Sequence, residues 1–243
     1  MNQQLWDRAT CLAHLKKDLL RTLDSVDLLE RGMVEVALAR EGVMVLAGSP
    51  MFQVHLEDPE ALPEVVALLR RKMPENDFCF VRAHESFYAK DLADALGFPH
   101  LKAYYNALYP ADLPVPQTLR PGLSIAPLSM EHFAFIRATY HTVDDDEYIR
   151  ERLEEGMLGA FLEGELVGFV GTHEEGSIGL LEVLPPYRRM GIASALNGAM
   201  VTKLRALGRR TYGTIEATNE TSLIAHRTMG VQIAKDPVYW LFR

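Results

Sequence analysis

The stretch from Gly179 to Leu196, GLLEVLPPYRRMGIASAL, constrains the fold of this chain more than any other. It begins as a short apolar run that Pro185 and Pro186 end, because proline has no N–H to give to a neighbouring strand. A basic loop with one glycine follows, and apolar residues at helical spacing then continue to Leu207. The order strand, basic loop, helix predicts an α/β domain that holds phosphate, because loop amides and the positive end of the helix dipole converge there.

Three residues of the loop fit an anion. Gly191 lets the backbone come close where a Cβ would intrude, and Arg188 and Arg189 can add charge-assisted hydrogen bonds. The alternative is an ordinary strand–turn–helix with a solvated pair of arginines.

The pattern Arg188-x-x-Gly191-x-Ala193, which follows V-x-P-x-Tyr, resembles the acyl-CoA pyrophosphate loop of the GCN5-related N-acetyltransferases, the GNAT family. The resemblance implies acetyl-CoA as co-substrate. In the family, the strand before the loop pairs with the pantetheine arm, and one of its N–H groups polarises the thioester. The cofactor contacts that the resemblance implies here are Val183, Leu184, Arg188, Arg189, Met190, Gly191, Ile192, Ala193, Ser194, Asn219 and Ser222.

The composition is typical of a globular protein, with 48% hydrophobic and 24% charged residues in a chain of 243. The net charge of −8 argues against general affinity for nucleic acid, so the local basic loop suits a small phosphorylated ligand better than a polyanion. Two cysteines, Cys11 and Cys79, support neither a disulfide framework nor a zinc site. No metal, no signal peptide and no membrane segment is expected, and the expected location is cytoplasmic.

A connector with four prolines, residues 110–122, predicts two domains, 1–115 and 116–243. Residues 123–243 predict the order β-α-α-β-β-β-α-β-α-β-β, which is the element order of a GNAT domain. After an amphipathic helix from Leu5 to Leu23, the first half predicts β-β-β-α-β-α-β and resembles a degenerate copy without the basic loop. An unrelated α/β cap is the alternative for that half.

The predicted fold class is therefore α/β (α+β), a GNAT fold with a mixed, mostly antiparallel central sheet flanked by helices. The second half is similar to the FR47-like branch, which includes the glycine N-acyltransferase type. The segments that carry this finer resemblance are LPPYRRMGIASAL, Ala217-Thr218-Asn219 and the ending Tyr239-Trp240-Leu241-Phe242.

Glu182 is the first candidate for a general base, because it is the one charge in an apolar strand beside the loop. The N–H near Val183 is the candidate for the oxyanion donor. In the alternative interpretation Glu182 lies on the other face of the sheet and pairs with a basic residue such as Arg210. Glu216 on the next strand is the second candidate base and also fits an exposed strand position.

His226 is the candidate acid for the departing thiolate. Many family members have a tyrosine seven residues beyond the asparagine, and counting from Asn219 reaches His226 instead. The alternative is a partly exposed helix histidine. Asn219 matches the family asparagine that hydrogen-bonds the pantetheine arm, although it also competes with Thr221 for the helix N-cap. Arg227 either reaches the adenosine phosphate or is solvated.

Together these residues predict an acetyl-CoA-dependent N-acetyltransferase that acts on the primary amine of a small-molecule or amino-acid-like acceptor by direct attack in a ternary complex. A non-catalytic acyl-CoA-binding module is the alternative from another class. A protein-tail acetyltransferase is a weaker alternative, because no acidic groove for a basic tail can be placed. Neither nucleic acid nor membrane is expected as a partner, and the sequence allows a homodimer.

Overall fold

The computed structural model describes residues 5–48, 50–73, 79–114 and 120–243. The chain forms two compact units, the first with residues 1–108 and 214–243 and the second with residues 109–213. Residues 214–243 thus group with the beginning of the chain. The predicted domain boundary, between residues 115 and 116, falls outside the described residues and stays a prediction.

Eight α-helices and twelve strands occur within the described residues. The helices are α1 (Arg8–Leu15), α2 (Leu23–Arg31), α3 (Leu62–Lys72), α4 (Ser86–Leu96), α5 (Phe133–Thr139), α6 (Asp146–Glu155), α7 (Ile192–Ala206) and α8 (Glu220–Thr228). The strands are β1 (Glu35–Arg40), β2 (Val43–Gly48), β3 (Met51–Leu56), β4 (Phe80–Ala83), β5 (His100–Leu108), β6 (Leu123–Pro127), β7 (Leu158–Leu162), β8 (Glu165–Thr172), β9 (Ile178–Val183), β10 (Tyr212–Glu216), β11 (Gln232–Ile233) and β12 (Val238–Phe242). Short 3₁₀ helices cover Lys16–Asp18, Pro59–Ala61, Met130–His132 and Pro185–Tyr187.

In the first unit the strands lie in the order β1-β2-β3-β4-β12-β5, and β11 pairs with β5. β3 and β4 are parallel, and their register runs from Met51–Phe80 to Val54–Ala83. The other pairs in this unit are antiparallel. β12 lies between β4 and β5, so strands from distant parts of the sequence complete one sheet.

β2 is buried on both faces, which explains its continuous apolar sequence. Side chains alternate along a strand, so Val45 of β2 packs in the core under α3 and α4, whereas Leu46 packs in the core under α1 and α2. β2 and β3 are accordingly buried along nearly their whole length.

A polar cluster is also buried in the first unit. Asp24 of α2 and Arg82 of β4 form an ion pair at 2.8 Å with neither side chain exposed. Ser25 Oγ lies 2.9 Å from His55 Nε2 and 3.1 Å from His84 Nε2, and the two imidazole rings stack at 3.8 Å. Burial lowers the pKa of both histidines well below the ordinary value of 6.5, and the charge of the neighbouring ring adds to this for His55.

In the second unit β6, β7, β8 and β9 form an antiparallel sheet in that order. β10 runs parallel to β9, and their register is the single pair Gly213–Ile178. α7 packs on β7, β8 and β9 through a buried stripe at helical spacing that includes Leu196, Met200 and Leu204. α5 and α6 bury Ile136, Ile149 and Leu153 in one core with Phe169 and Leu180 of the sheet.

The predicted fold class is confirmed: a mixed, mostly antiparallel sheet is flanked by helices. The predicted single helix from Leu5 to Leu23 is wrong. α1 ends at Leu15, and the hydroxyl of Thr22 donates to the carbonyls of Leu15 (2.7 Å) and Asp18 (3.0 Å) in the turn before α2. A side chain that donates to preceding carbonyls favours a turn over continued helix. The spacing of the apolar residues therefore did not show where the helix ends.

Candidate functional site

The loop between β9 and α7 has two residues with left-handed backbone conformation. Arg189 has φ 63° and Gly191, the N-cap of α7, has φ 79°. A Cβ added at Gly191 would meet no atom within 4 Å, so the positive φ and not crowding is the reason for glycine there. Arg189 accepts the same conformation at a cost, which marks the loop as a strained turn held by its surroundings.

The amides of this loop point to an anion. Within the part of the chain that the structure describes, no acceptor takes the N–H groups of Arg189, Met190, Gly191, Ile192 and Ala193. The N-cap makes no side-chain hydrogen bond, and the first turn of α7 carries no acidic residue. Successive N–H groups at a helix start, next to exposed arginine, fit the diphosphate of a nucleotide cofactor.

The two loop arginines have different surroundings. The guanidinium of Arg188 turns back to the end of β9, where Nε donates to the Val183 carbonyl and Nη2 donates to Glu182 Oε1, both at 2.9 Å. Arg189 is exposed, and its side chain makes no hydrogen bond or ion pair with the described residues. The predicted pair of arginines at one anion is therefore divided in the structure.

Glu182 accepts two hydrogen bonds on the same oxygen. Oε1 takes the Val183 N–H at 3.2 Å and Arg188 Nη2 at 2.9 Å, whereas Oε2 has no donor among the described residues. The side chain is 28% exposed, so it is half-buried. The sequence predicted an isolated strand carboxylate or a pair with a residue such as Arg210, and the structure pairs it with Arg188.

The end of β9 presents Val183 on its free edge. The N–H of Leu184 donates to the Val167 carbonyl at 2.9 Å, so the alternation of an antiparallel pair turns the N–H and C=O of Val183 away from β8. A bulge precedes this point, because the register passes from Gly171–Gly179 to Phe169–Glu182 and Leu180 has φ 45°. The bulge re-aims the strand just before Glu182.

Sequence reasoning missed several polar groups of the second unit near β9. Tyr148 Oη lies 2.7 Å from His173 Nδ1, and Ser177 Oγ donates to the buried Glu175 at 2.7 Å. Burial raises the pKa of Tyr140, and the charges of Glu182 and Glu175 raise it further. Tyr140 had only helical spacing as a sequence signal, which cannot distinguish an apolar contact from a polar one.

Three predicted site residues lie on or at the start of α8 in the first unit. Asn219 is the N-cap, and its Oδ1 accepts the N–H of Ser222 at 3.0 Å, which decides the competition with Thr221. His226 Nδ1 lies 2.8 Å from the Ser222 carbonyl, so Nδ1 carries the proton and donates. Burial lowers the pKa of His226. The predicted cofactor and acid roles of these residues stay predictions.

The described residues lack two further features. No group of three or more His, Cys, Asp or Glu side chains could hold a metal ion there. No described helix combines the length and the apolar character needed to cross a membrane.

The strand, the open amides and the helix start have the arrangement with which α/β domains bind an anion at a helix N-terminus. Residues 125–231 match the Acetyltransferase (GNAT) family. This segment is a GNAT acetyltransferase domain, as the loop predicted, and the general chemistry of that family is acyl transfer from an acyl-CoA. Its place in the FR47-like branch stays a prediction.

Solved structures show the same fold over nearly the whole chain. A Drosophila protein superposes with a TM-score of 0.67 at 16% identity, covering 99% of this chain and 97% of its own. A GCN5-related N-acetyltransferase from Kribbella flavida gives 0.61 at 14% identity, with 92% and 95% covered. A tandem GNAT protein from the clavulanic acid biosynthesis pathway gives 0.50 at 12% identity, with 98% and 96% covered. No curated protein matches the chain.

Proposed function

We propose that the chain is an N-acetyltransferase that transfers the acetyl group of acetyl-CoA to the primary amine of a small-molecule or amino-acid-like acceptor. The amine attacks directly while both substrates are bound. The observation that carries this proposal is the run of five amides from Arg189 to Ala193 that no described residue accepts, a few residues after a strand that ends in a carboxylate and the N–H of Val183.

The loop would hold the cofactor diphosphate. Its amides offer hydrogen bonds that cost no rearrangement, because no described group accepts them. The exposed Arg189 adds a positive charge, and Gly191 keeps the backbone accessible. Acetyl-CoA bound there supplies an activated acetyl thioester. Asn219 and Ser222 remain predicted contacts of the cofactor.

Glu182 would remove the amine proton. An amine with a pKa of about 10 is mostly protonated at neutral pH, so a positioned carboxylate that accepts its proton directly or through water raises the rate. Oε2 is the oxygen for this task, since no described donor occupies it. The half-buried side chain leaves it reachable from solvent.

The Val183 N–H would stabilise the oxyanion that develops when the amine nitrogen bonds to the carbonyl carbon. Its present bond to Glu182 Oε1, at 3.2 Å, is at the long end for N–H···O, so exchange for a carbonyl oxygen costs little. As the C–N bond forms, the C–S bond breaks and the thiolate of CoA departs. Glu182 and the Val183 N–H are close enough to act on the same reaction centre, the carbonyl carbon of the thioester and the amine that attacks it.

His226 does not enter this proposed sequence of steps. With its proton on Nδ1 and its pKa lowered by burial, the neutral ring has an unprotonated Nε2 at neutral pH. Such a ring accepts a proton more readily than it gives one. The thiolate therefore departs without a protein acid in our proposal.

A screen for thiol release tests the proposal. The full chain is incubated with acetyl-CoA and a panel of amines, amino acids and polyamines, and free CoA is measured with a thiol reagent. We expect acceptor-dependent release that is lost in Glu182→Gln. If CoA raises the melting temperature but no amine in the panel releases thiol, the chain is an acyl-CoA-binding module and the proposed activity is wrong.

A further inference from the structure

We infer that Arg188 is a positioning residue for Glu182 and that Arg189 alone of the two arginines serves the diphosphate. This inference deepens the proposed function and rests on it. The family resemblance implies a cofactor contact for both arginines, and the geometry assigns them separate tasks. In this arrangement Arg188 holds Oε1 of the carboxylate so that Oε2 stays open for the proton of the acceptor.

The contacts of Arg188 occupy one edge of its guanidinium. Nε donates to the Val183 carbonyl and Nη2 donates to Glu182 Oε1, both at 2.9 Å. Nε and Nη2 form the flat two-donor fork that arginine uses for bidentate recognition. Because β9 already takes both prongs, this edge of Arg188 is not available to clamp a phosphate.

The carboxylate of Glu182 has an asymmetric set of donors. Oε1 is held by the Val183 N–H and by Arg188, and Oε2 is held by no described group. If the Val183 N–H turns to a thioester oxygen, Arg188 is the remaining donor on Oε1. Arg188 then alone fixes the rotation of the carboxylate and so the direction of Oε2. A proton acceptor loses much of its efficiency when its orientation is free.

The exposure of the Arg188–Glu182 ion pair indicates that the pair orients the carboxylate and contributes little to folding stability. The side chains of Arg188 and Glu182 are 56% and 28% exposed. Ion pairs this exposed contribute little to the stability of a protein. Removal of the Arg188 guanidinium should therefore change the melting temperature by less than about 3 °C. A loss of turnover without a loss of stability separates a positioning role from a structural one.

The test compares four variants of the full chain by steady-state kinetics against acetyl-CoA. Arg188→Gln should lower kcat about tenfold and leave KM for acetyl-CoA within about twofold, since orientation of a general base carries part of its total effect. Arg189→Gln should instead raise that KM. Arg188→Lys restores the charge but not the two-pronged fork, and it should recover only part of kcat. Arg120→Gln, at an exposed arginine of the same unit, is the control without effect.

A double-mutant cycle supplies the readout that a structural role would not give. In the Glu182→Gln background, Arg188→Gln should cause no further loss of kcat, because its effect passes through the carboxylate. Losses that multiply would overturn the inference. Equal KM increases for Arg188→Gln and Arg189→Gln would also overturn it, since both would then be phosphate ligands.

Calorimetry with CoA alone gives a second readout that needs no turnover. Arg188→Gln should keep the CoA affinity of the wild type within about twofold, and Arg189→Gln should weaken it at least about fivefold. If Arg188→Gln weakens CoA binding as much as Arg189→Gln does, the inference is wrong while the proposed function stands. If the wild type binds CoA and transfers acetyl to no amine, the proposed function is wrong and the positioning role falls with it.

Discussion

Both units contain a strand followed by a 3₁₀ turn and a helix, and the two turns differ in every property that matters for an anion. In the first unit the segment between β3 and α3 is acidic, and its amides are used internally. The backbone N–H groups of Glu57 and Asp58 donate to the Gly42 carbonyl, and the Asp58 carboxylate accepts the backbone N–H of Glu60. In the second unit the segment between β9 and α7 is basic, and its last amides, from Arg189 to Gly191, have no acceptor among the described residues.

The strand pairs beside these turns also differ. β3 and β4 keep parallel register from Met51–Phe80 to Val54–Ala83, whereas β10 and β9 share one residue pair, Gly213–Ile178. The interior of the first unit is filled by α2 and its polar cluster. The comparison teaches that a strand–turn–helix can serve as an anion site only where the amides at its helix start are left without an acceptor, and four predictions follow from this in order of expected effect.

Glu182→Gln should have the largest effect. Loss of the carboxylate that accepts the amine proton should reduce kcat by a factor of about 10²–10³, with little change of KM for acetyl-CoA. Steady-state kinetics with an acceptor from the thiol-release screen measure it. The matched control is Glu165→Gln, an exposed strand acid at the start of β8 in the same unit. Equal losses of kcat in both variants would show that Glu182 is not the general base.

Acid should destabilise the first unit through His55 and His84. Because their pKa values in the folded chain lie well below 6.5, the unfolded chain binds more protons as the pH falls below 6.5, and stability is lost there. Each histidine adds a slope of up to about 1.4 kcal/mol per pH unit in that range. Denaturant unfolding between pH 7 and pH 5 measures the slope.

The control for this prediction is His55→Asn, which should flatten the pH dependence even if it lowers the stability at pH 7. An unchanged slope in that variant would mean that the stacked imidazoles do not stay neutral in the fold.

Ala193→Asp should transfer the acidic character of the first-unit turn to the second unit. A carboxylate at the second residue of α7 would compete for the open amides and repel a diphosphate, so CoA affinity should fall more than about tenfold while the helix itself is not weakened. Ala9→Asp makes the same exchange at the second residue of α1 and should not affect CoA binding. Calorimetry compares the two, and an Ala193→Asp variant that binds CoA normally would contradict the open-amide interpretation.

Gly191→Ala should have the smallest of the four effects. Its φ of 79° is unfavourable for alanine by about 1–2 kcal/mol, and a Cβ would project where the backbone should meet phosphate. Gly97→Ala in the first unit is closely matched, with φ 70° and no atom within 4 Å of the added Cβ. The two variants should lose similar stability, and Gly191→Ala alone should lose CoA affinity.

The sequence was a good guide where the signals are local. Proline, glycine and arginine at fixed positions predicted the loop at Gly191 and the start of α7. The sequence was a poor guide where residues distant in the chain determine whether a side chain is buried. α2 was missed because Asp24 and Ser25 look like solvent-exposed positions, and only Arg82, His55 and His84 from later strands make their burial favourable.

The backward turn of Arg188 was equally hidden, because its two acceptors, the Val183 carbonyl and Glu182 Oε1, lie five and six residues earlier in the chain. No spacing rule predicts either of these. The resemblance indicated which residues form the loop, but their individual contacts became visible only in three dimensions.

The position of β12 sets a condition on how the protein is made. The sheet of the first unit needs this strand between β4 and β5, so an emerging chain cannot close that sheet until synthesis has passed Phe242. Until then the edges of β4 and β5 that face β12 have no partner strand. Another extended polypeptide could pair with them during synthesis. The sheet that contains the first strands of the sequence is thus completed only by the last strand. A premature stop codon shortly before β12 would therefore leave the sheet of the first unit incomplete.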